Sequence, residues 1–317
     1  MVKKENTSRI SKLVERKHGF KRISVGLCLG FLLLLGGGLM GCSSEPSPVT
    51  EVPQKSQSEK LEGYSIYRLG DSLLEEDYKK FREDKASMNT LVAFYNYLNQ
   101  SDELSILSIF NQALYVKNFK GDKAFYYTPE EALKADSSLT PSIKGIEMNQ
   151  KAFDFHQLKL AEGKEINWAG VDYQNGAKIP ILLGYQYKGV YQLGEVLEID
   201  LYGKLFQCEV VGFLSQESKL SYKDYIDENL DNYIIFPYPS KLWHLEDIKE
   251  PFAGILYFAM LNSEVVTRGS EEDLLSEIKL ASEKSGFKNF ALYNQEGYPL
   301  KLTYLMLKFL NIGLVLC

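Results

Sequence analysis

The stretch from Ile179 to Leu214 decides the fold class. It begins with Ile179-Pro-Ile-Leu-Leu-Gly184, a short apolar run that ends in glycine and is typical of a buried strand. Gly194-Glu-Val-Leu-Glu-Ile-Asp-Leu201 then alternates, with Val196, Glu198 and Asp200 on one face of a second strand and Leu197, Ile199 and Leu201 on the other. Tyr202-Gly-Lys is a hairpin signal, and it leads into a third strand, Leu205-Phe-Gln-Cys-Glu-Val-Val-Gly-Phe-Leu214.

Helical patterns lie on both sides of these strands. Apolar residues recur every three or four positions over 72–99, which predicts one long or two consecutive helices, and Ser72-Leu-Leu-Glu75 has the spacing of a capping box. Ser270-Glu-Glu-Asp is expected to open another helix that runs to about Lys284. A short helix is expected after Thr128. Further strands are predicted at 104–110, 113–116, 143–148, 229–237 and 252–261. The mixture predicts an α+β fold.

Charge is distributed very unevenly along the chain. The whole sequence carries 36 Lys and Arg against 42 Asp and Glu, a formal net charge of −6. Residues 1–22 hold eight Lys or Arg and two Glu, about +6, so the other residues carry about −12. This balance excludes a basic nucleic-acid-binding body, and we expect no nucleic-acid partner. A basic N-terminal segment (the basic head) before an acidic body indicates association with a membrane instead.

Residues 23–42 form an apolar segment directly after this head. They contain no charged residue, and as a helix they would span about 30 Å, the thickness of the bilayer core. The positive-inside rule places residues 1–22 in the cytoplasm and the chain after Cys42 outside it. The segment is therefore predicted to be a transmembrane helix or a signal segment.

The end of this segment contains a candidate processing site, so two interpretations are open. Leu39, Met40, Gly41 and Cys42 resemble the lipobox of bacterial lipoproteins, in which the cysteine thiol takes the lipid and becomes the new N-terminus. The resemblance implies lipid attachment at Cys42. The alternative is a retained helix over 23–42.

The remaining boundaries follow from composition. Residues 43–60 are rich in Ser, Pro, Glu, Lys and Gln, which is typical of a linker, so the body is expected to span 61–300. Residues 301–317 are apolar except for Lys308 and Asn311, and they predict either the beginning of a membrane helix or a terminal buried or surface-lying helix.

The cysteines do not predict a disulfide or a metal site. Cys28 and Cys42 belong to the apolar segment, Cys317 is the last residue, and Cys208 is alone in the body. The sequence contains no CxxC and no zinc-type spacing of Cys and His. Cys208 is expected to be a small core residue of a strand.

Two motifs that are typical of catalytic or phosphate-binding sites are absent from the sequence as well. The sequence contains neither a phosphate-binding G-x-x-x-x-G-K-[ST] loop nor a G-x-S-x-G nucleophile elbow. His18 lies in the basic head, and His156 and His244 stand beside aromatic residues, where we expect structural roles. We therefore predict no catalytic residue, no cofactor and no metal, and a protein that is not an enzyme.

Four short motifs in the body carry a resemblance through their order. Glu162-Gly163, Pro180-Ile-Leu-Leu-Gly184, Leu193-Gly-Glu195 and Val210-Val-Gly212 follow one another as in the extracytoplasmic core domain of MacB/FtsX-type ABC-transporter permeases. The resemblance covers about residues 60–300. It implies a mechanical and substrate-contacting domain without an active site, held at the bacterial cell membrane, with an ABC ATPase and permease complex as partner.

The sequence departs from those permeases in two ways. They have further membrane helices after this domain, whereas this sequence ends within or before the second, and a lipobox is not one of their features. We therefore expect an accessory protein or a remnant of an export or cell-envelope system. The alternative is a free-standing surface lipoprotein that binds a ligand or a cell-wall component, and a surface enzyme is the third class.

Overall fold

The computed structural model describes residues 63–222, 225–246, 251–295 and 297–300. All of them belong to the second of two units into which the chain divides, 1–53 and 54–317. The helices are α1 Glu75–Glu83, α2 Lys85–Asn99, α3 Glu130–Ala135, α4 Gln150–Phe155, α5 Pro251–Ala259 and α6 Glu271–Ser285. The strands are β1 Ser65–Asp71, β2 Ser105–Leu107, β3 Ile109–Val116, β4 Ile143–Met148, β5 Leu160–Gly163, β6 Ile179–Leu183, β7 Val196–Leu201, β8 Lys204–Leu214, β9 Lys219–Tyr222, β10 Tyr225–Asn229, β11 Ile234–Pro237, β12 Glu264–Thr267 and β13 Phe290–Tyr293. The predicted α+β class is confirmed.

The larger sheet closes into a barrel. Its order is β5-β8-β6-β11-β4-β3-β7, and β7 pairs in addition with β8, so that six strands form a ring. The ring closes because β8 pairs with β6 along one edge and, through its first half, with β7 along the other. Since β8 is 11 residues long, its last residues also pair with β5, which lies outside the ring. The pairs β6–β8 and β4–β11 are parallel, and the other pairs are antiparallel.

The predicted hairpin at the start of β8 is confirmed. Leu201 pairs with Lys204 across a two-residue turn, in which Tyr202 and Gly203 have φ values of 55° and 81°. Two positive φ angles give the turn the twist that joins adjacent antiparallel strands. The predicted alternation of β7 is also confirmed, since Leu197, Ile199 and Leu201 are buried inside the barrel, whereas Val196, Glu198 and Asp200 face outward.

The second sheet has four antiparallel strands in the order β13-β1-β12-β2. Helix α2 packs against the sheet and against the end of α6, with the ring of Phe94 5.1 Å from Phe287 and 5.2 Å from Phe290. Only Ser108 separates β2 from β3. A single extended segment, 105–116, therefore belongs to both the four-stranded sheet and the barrel.

The predicted helical stretch 72–99 contains two consecutive helices, α1 and α2, which confirms one of the two predicted alternatives. Asp84 ends α1, and its side chain accepts a hydrogen bond from the Ser87 amide at 2.9 Å to cap α2. The predicted capping box at Ser72 is wrong, because α1 begins after Leu74 and no side chain caps it. The capping box of the structure lies at α6, where Ser270 and Asp273 exchange hydrogen bonds. On α6, Leu274 and Ile278 are buried, whereas Leu280 is 38% exposed.

The predicted strand at 252–261 is wrong, because these residues form helix α5 and a 3-10 turn over Met260–Asn262. The run is apolar on every face, so its periodicity cannot distinguish a buried strand from a buried helix. Pro251, at the first helical position, was the signal for a helix start. The most buried positions, which recur with helical spacing, are Phe252, Ala253, Leu256, Tyr257 and Met260.

The predictions for the chain ends lie outside the described residues. They concern the basic head 1–22, the apolar segment 23–42, the linker 43–60 and the apolar segment 301–317. In the ranges that the structure does describe, no helix combines the length and the apolarity that crossing a bilayer requires.

Candidate functional site

A group of buried polar side chains lies where the segment 105–116 passes from the four-stranded sheet into the barrel. Ser108, Glu147, Asn149 and Ser263 are each at most 1% exposed. Burying polar groups costs free energy unless they are hydrogen-bonded, so these positions call for an explanation. We call this group, together with Gln112 and Tyr202, the polar junction.

Asn149 holds the crossing point together. Its Oδ1 accepts hydrogen bonds from the amides of Ala152 (3.0 Å) and Ser108 (3.3 Å), and its Nδ2 donates to the Ile106 carbonyl at 2.8 Å. The Ala152 bond caps helix α4, and the other two satisfy backbone groups at the point where β2 becomes β3. Beside it, the hydroxyls of Ser108 and Ser263 are 3.1 Å apart.

Glu147 is the ionisable member of the polar junction. It is fully buried on β4, and its Oε2 accepts a hydrogen bond from the Tyr202 hydroxyl at 2.8 Å. Gln112 Nε2 in turn donates to that hydroxyl at 2.5 Å, whereas Glu147 Oε1 has no hydrogen-bond partner. Burial raises the pKa of Glu147 to about 8, and the Tyr202 hydrogen bond opposes this only in part. The side chain is therefore mostly a neutral acid at pH 7.

Three further tyrosines enclose Glu147 and direct their hydroxyls elsewhere. Tyr95 donates to the carbonyl of Pro239 (2.9 Å), Tyr173 to that of Pro237 (2.7 Å) and Tyr238 to that of Leu256 (2.8 Å). Burial raises the pKa of all three hydroxyls, and a negative charge on Glu147 would raise it further. These hydroxyls stay protonated and join α2 to Pro239, the loop before β6 to the end of β11, and Tyr238 to helix α5, so they are unsuited to act as bases.

An open depression of about 170 Å³ lies on the outside of the barrel. Its charged side chains are paired with one another: Lys117 Nζ is 2.6 Å from Glu198 Oε2, and Lys120 forms an ion pair with Glu195. Lys120 also lies 5.2 Å from the centre of the Tyr191 ring. The Lys117 pair lowers the pKa of Glu198, as expected for a charge stabilised at the surface.

The four family-like motifs meet in one part of the barrel. Gly163 of β5 pairs with Gly212 of β8, and a Cβ on Gly163 would lie 2.3 Å from the Val211 carbonyl and 2.9 Å from Leu193. Gly194, with φ of 81°, donates its amide to the Val210 carbonyl at 2.8 Å. Motifs that are separated by up to 50 residues in sequence are therefore direct neighbours in space.

The motif of β6 joins them from the other side of β8. Its strand runs parallel to β8, with Leu182 opposite Gly212. Its last glycine, Gly184, lies so close to the Leu230 carbonyl that a Cβ there would be 2.0 Å from it. Gly163, Gly184 and Gly212 thus mark places where backbone approaches backbone, whereas Gly194 supplies a positive φ angle.

The predicted site residues at the lipobox, Leu39, Met40, Gly41 and Cys42, lie outside the described residues. Cys208 is buried in β8, as predicted, and burial raises the pKa of its thiol. His156 is buried after α4 with its ring edge-on to Phe155, and His244 Nε2 is 3.2 Å from Asn89 Nδ2. Across the described ranges, no three His, Cys, Asp or Glu side chains come together as a metal site would need.

Glu147 was not among the predicted site residues. A signal was present, because in Ile143-Lys-Gly-Ile-Glu-Met148 the side chain of Glu147 shares a strand face with Ile143 and Gly145. An acidic residue on a face that begins with isoleucine is unusual for a strand buried on that side.

Comparison with known proteins returned matches among solved structures alone: no protein-family model and no curated protein matches the chain. The periplasmic region of MacB from Actinobacillus actinomycetemcomitans is 15% identical over 75% of this chain and 93% of its own, with a TM-score of 0.39. The extracellular domain of the noncanonic ABC-type transporter YknZ from Gram-positive bacteria is 12% identical over 72% and 100%, with a TM-score of 0.36. A domain of a protein assigned as a permease from Porphyromonas gingivalis is 8% identical over 78% and 97%, with a TM-score of 0.37.

All three TM-scores are below 0.5 and all three identities are below 25%, so the chain is distantly similar to these domains and no function follows from the similarity itself.

Proposed function

We propose that the protein is a membrane-anchored, non-catalytic extracytoplasmic domain related to ABC-permease ectodomains, and that it serves as an accessory to, or remains from, an export or cell-envelope system. The observation that carries this proposal is the meeting of the four motifs in the barrel. Gly163 of β5 pairs with Gly212 of β8, the amide of Gly194 in the turn before β7 donates to Val210 of β8, and β6 runs beside β8 and leads to Gly184. Their order in the sequence thus corresponds to one packed unit.

Buried polar side chains at and around the polar junction are hydrogen-bonded to the backbone, which supports a mechanical role rather than a catalytic one. At the polar junction, Asn149 makes three hydrogen bonds to backbone, and the surrounding tyrosines bond to carbonyls. The Asn149 bond to Ile106 fixes β2 of the four-stranded sheet to the end of barrel strand β4, and the tyrosine bonds fix the elements packed around the barrel. Such a body suits the transmission of a movement or the contact with a partner, which is the role that the resemblance implies.

The sequence supports attachment to the bacterial cell membrane. The basic head 1–22 and the apolar segment 23–42 precede the linker 43–60, so the body is expected outside the cytoplasm. We expect an ABC ATPase and permease complex as its partner there.

A cross-linking experiment in cells tests the partner. A photoreactive residue at Leu205, which is 55% exposed on the outer face of β8, samples the barrel surface. The same residue at Leu139, which is 44% exposed after α3, is a matched control at another place. We expect adducts with a permease or its ATPase, identified by mass spectrometry, at Leu205 and not at Leu139. No such adduct at Leu205, or the same adducts at both positions, would contradict the proposal.

The mode of anchoring has its own test at Cys42. A working lipobox gives a mature protein that begins at Cys42 and carries acyl chains, each buried methylene contributing about 0.8 kcal/mol to membrane binding. Cys42→Ser then leaves an uncleaved, heavier precursor that takes up no fatty-acid label. A wild-type protein that keeps its original N-terminus and carries no label shows that 23–42 is retained as a helix instead.

The free-standing ligand-binding lipoprotein is less well supported. The depression between Lys117 and Tyr191 encloses about 170 Å³, below the roughly 300–1,000 Å³ of ordinary ligand pockets. Its lysines are already paired with Glu195 and Glu198. A ligand there would have to break these pairs.

A further inference from the structure

We propose that Glu147 is a proton-dependent latch at the polar junction, which holds the fold most tightly while its buried carboxyl group is neutral and destabilises the fold when that group ionises. The inference rests on the polar junction itself and is independent of the function proposed above. If the body also lies outside the cytoplasm, the latch would respond to the pH of the surroundings.

The hydrogen-bonding of Glu147 suits an acid better than a carboxylate. A buried carboxylate needs a cation or several donors to offset its desolvation. Glu147 has one donor, the Tyr202 hydroxyl, which is itself held by Gln112, and Oε1 has no partner. The neutral acid avoids the desolvation cost of a buried charge.

The groups that face Glu147 from the neighbouring elements cannot readily compensate a charge. Tyr95 comes from α2, Tyr173 from the loop before β6 and Tyr238 from the segment after β11, and their hydroxyls are all bonded to backbone carbonyls. Inside the barrel, Cys208 stays a thiol because burial raises its pKa. None of these groups carries a positive charge.

The cation at this end of the barrel is Lys204. Its Nζ is 3.5 Å from the Tyr173 carbonyl, and it lies 5.4 Å and 5.2 Å from the ring centres of Phe206 and Phe252. The ring of Phe252 in turn lies 6.0 Å from that of Tyr202, the tyrosine that bonds to Glu147. Helix α5 thus contributes an aromatic side chain, Phe252, between the lysine and the polar junction.

The sign of the pH dependence follows from the direction of the shift. The pKa of Glu147 is raised by burial from 4.5 to about 8, so the folded protein holds a proton that the unfolded chain releases between these values. Its stabilising effect is complete below about pH 4.5 and is lost as the pH rises to about 8. Over that window the unfolding equilibrium constant should increase about tenfold for each pH unit.

The test compares the full chain with its Glu147→Gln variant in a mild non-ionic detergent. Urea unfolding, followed by the fluorescence of Trp168 and Trp243, gives the unfolding constant of each protein between about pH 5 and about pH 9. We expect the ratio of wild type to variant to rise about tenfold per pH unit and to level off above about pH 8. A flat ratio overturns the proposal.

Glu198→Gln is the matched control. Glu198 is paired with Lys117 at the surface, and its pKa is lowered, so it is ionised in both the folded and the unfolded chain over the upper part of this window. The ratio of wild type to this variant should be flat above about pH 6. An equal slope for both variants would mean that the effect is not specific to Glu147, and it would also overturn the proposal.

Two measurements keep the test decisive if Glu147→Gln does not fold. The infrared band of a neutral carboxylic acid should be present in the folded wild type at pH 7 and should disappear as the pH passes about 8. Tyr202→Phe removes the hydroxyl that stabilises the carboxylate, so this loss should move to higher pH. Absence of the band at pH 7, or its loss at lower pH in Tyr202→Phe, overturns the proposal.

Discussion

Replacing Asn149 by alanine should destabilise the protein strongly, because this one side chain makes three hydrogen bonds in the core. Loss of the cap on α4 costs about 1 kcal/mol. The Ser108 amide and the Ile106 carbonyl also lose their bonds, and each buried group left without a partner costs about 1–3 kcal/mol. We expect a total of about 4 kcal/mol, out of the roughly 5–15 kcal/mol that stabilises an ordinary folded chain.

Urea unfolding of the full chain in detergent, read from the fluorescence of Trp168 and Trp243, measures this loss. Asn111→Ala is the matched control, since Asn111 also lies on the segment 105–116 and its Oδ1 accepts no hydrogen bond. That variant should change the free energy of unfolding by less than about 1 kcal/mol. Asn149→Ser should recover about 1 kcal/mol by capping α4 again. The reasoning is refuted if Asn149→Ala costs no more than Asn111→Ala.

Three further substitutions test the packing by the same unfolding measurement. Gly184→Ala should cost about 3 kcal/mol, because its Cβ would lie 2.0 Å from the Leu230 carbonyl, whereas Gly189→Ala, with no atom within 4 Å, should be nearly neutral. Gly254→Ala should stabilise the protein by up to about 1 kcal/mol, because the position is helical and the nearest atom to the added Cβ is 3.7 Å away; a loss would contradict the assignment of α5 as a helix. Ser270→Ala should cost about 1 kcal/mol through the capping box of α6, and an unchanged midpoint would show that this cap is unimportant.

The parts of the fold that the sequence predicted well are those with a local signal. The hairpin at Tyr202 has a turn that accepts positive φ, and β7 alternates because one of its faces is in the barrel and the other in solvent. Helix α6 begins at a capping box and ends at Gly286, which has φ of 77°. In each case the residues concerned are neighbours in sequence, so their pattern specifies the local structure.

The rest depended on contacts between distant residues. Helix α5 was predicted to be a strand because its sequence is apolar on every face, which removes the helical period from the sequence pattern. Strands β12 and β13 are four residues each and gain their pairing from β1, about 200 residues earlier. Glu147 carries no motif, and its unusual state exists only because the strand on which it lies is enclosed by the barrel and the tyrosines around it.

The segment 105–116 has a consequence for how the body can come apart. Because it is one strand in two sheets, neither sheet can melt without stripping hydrogen bonds from the other. Heating should therefore give one cooperative transition in the described body rather than two, with the unfolding enthalpy of the whole unit absorbed in a single calorimetric peak. We therefore expect the described body to be either folded or unfolded, with no populated half-folded state.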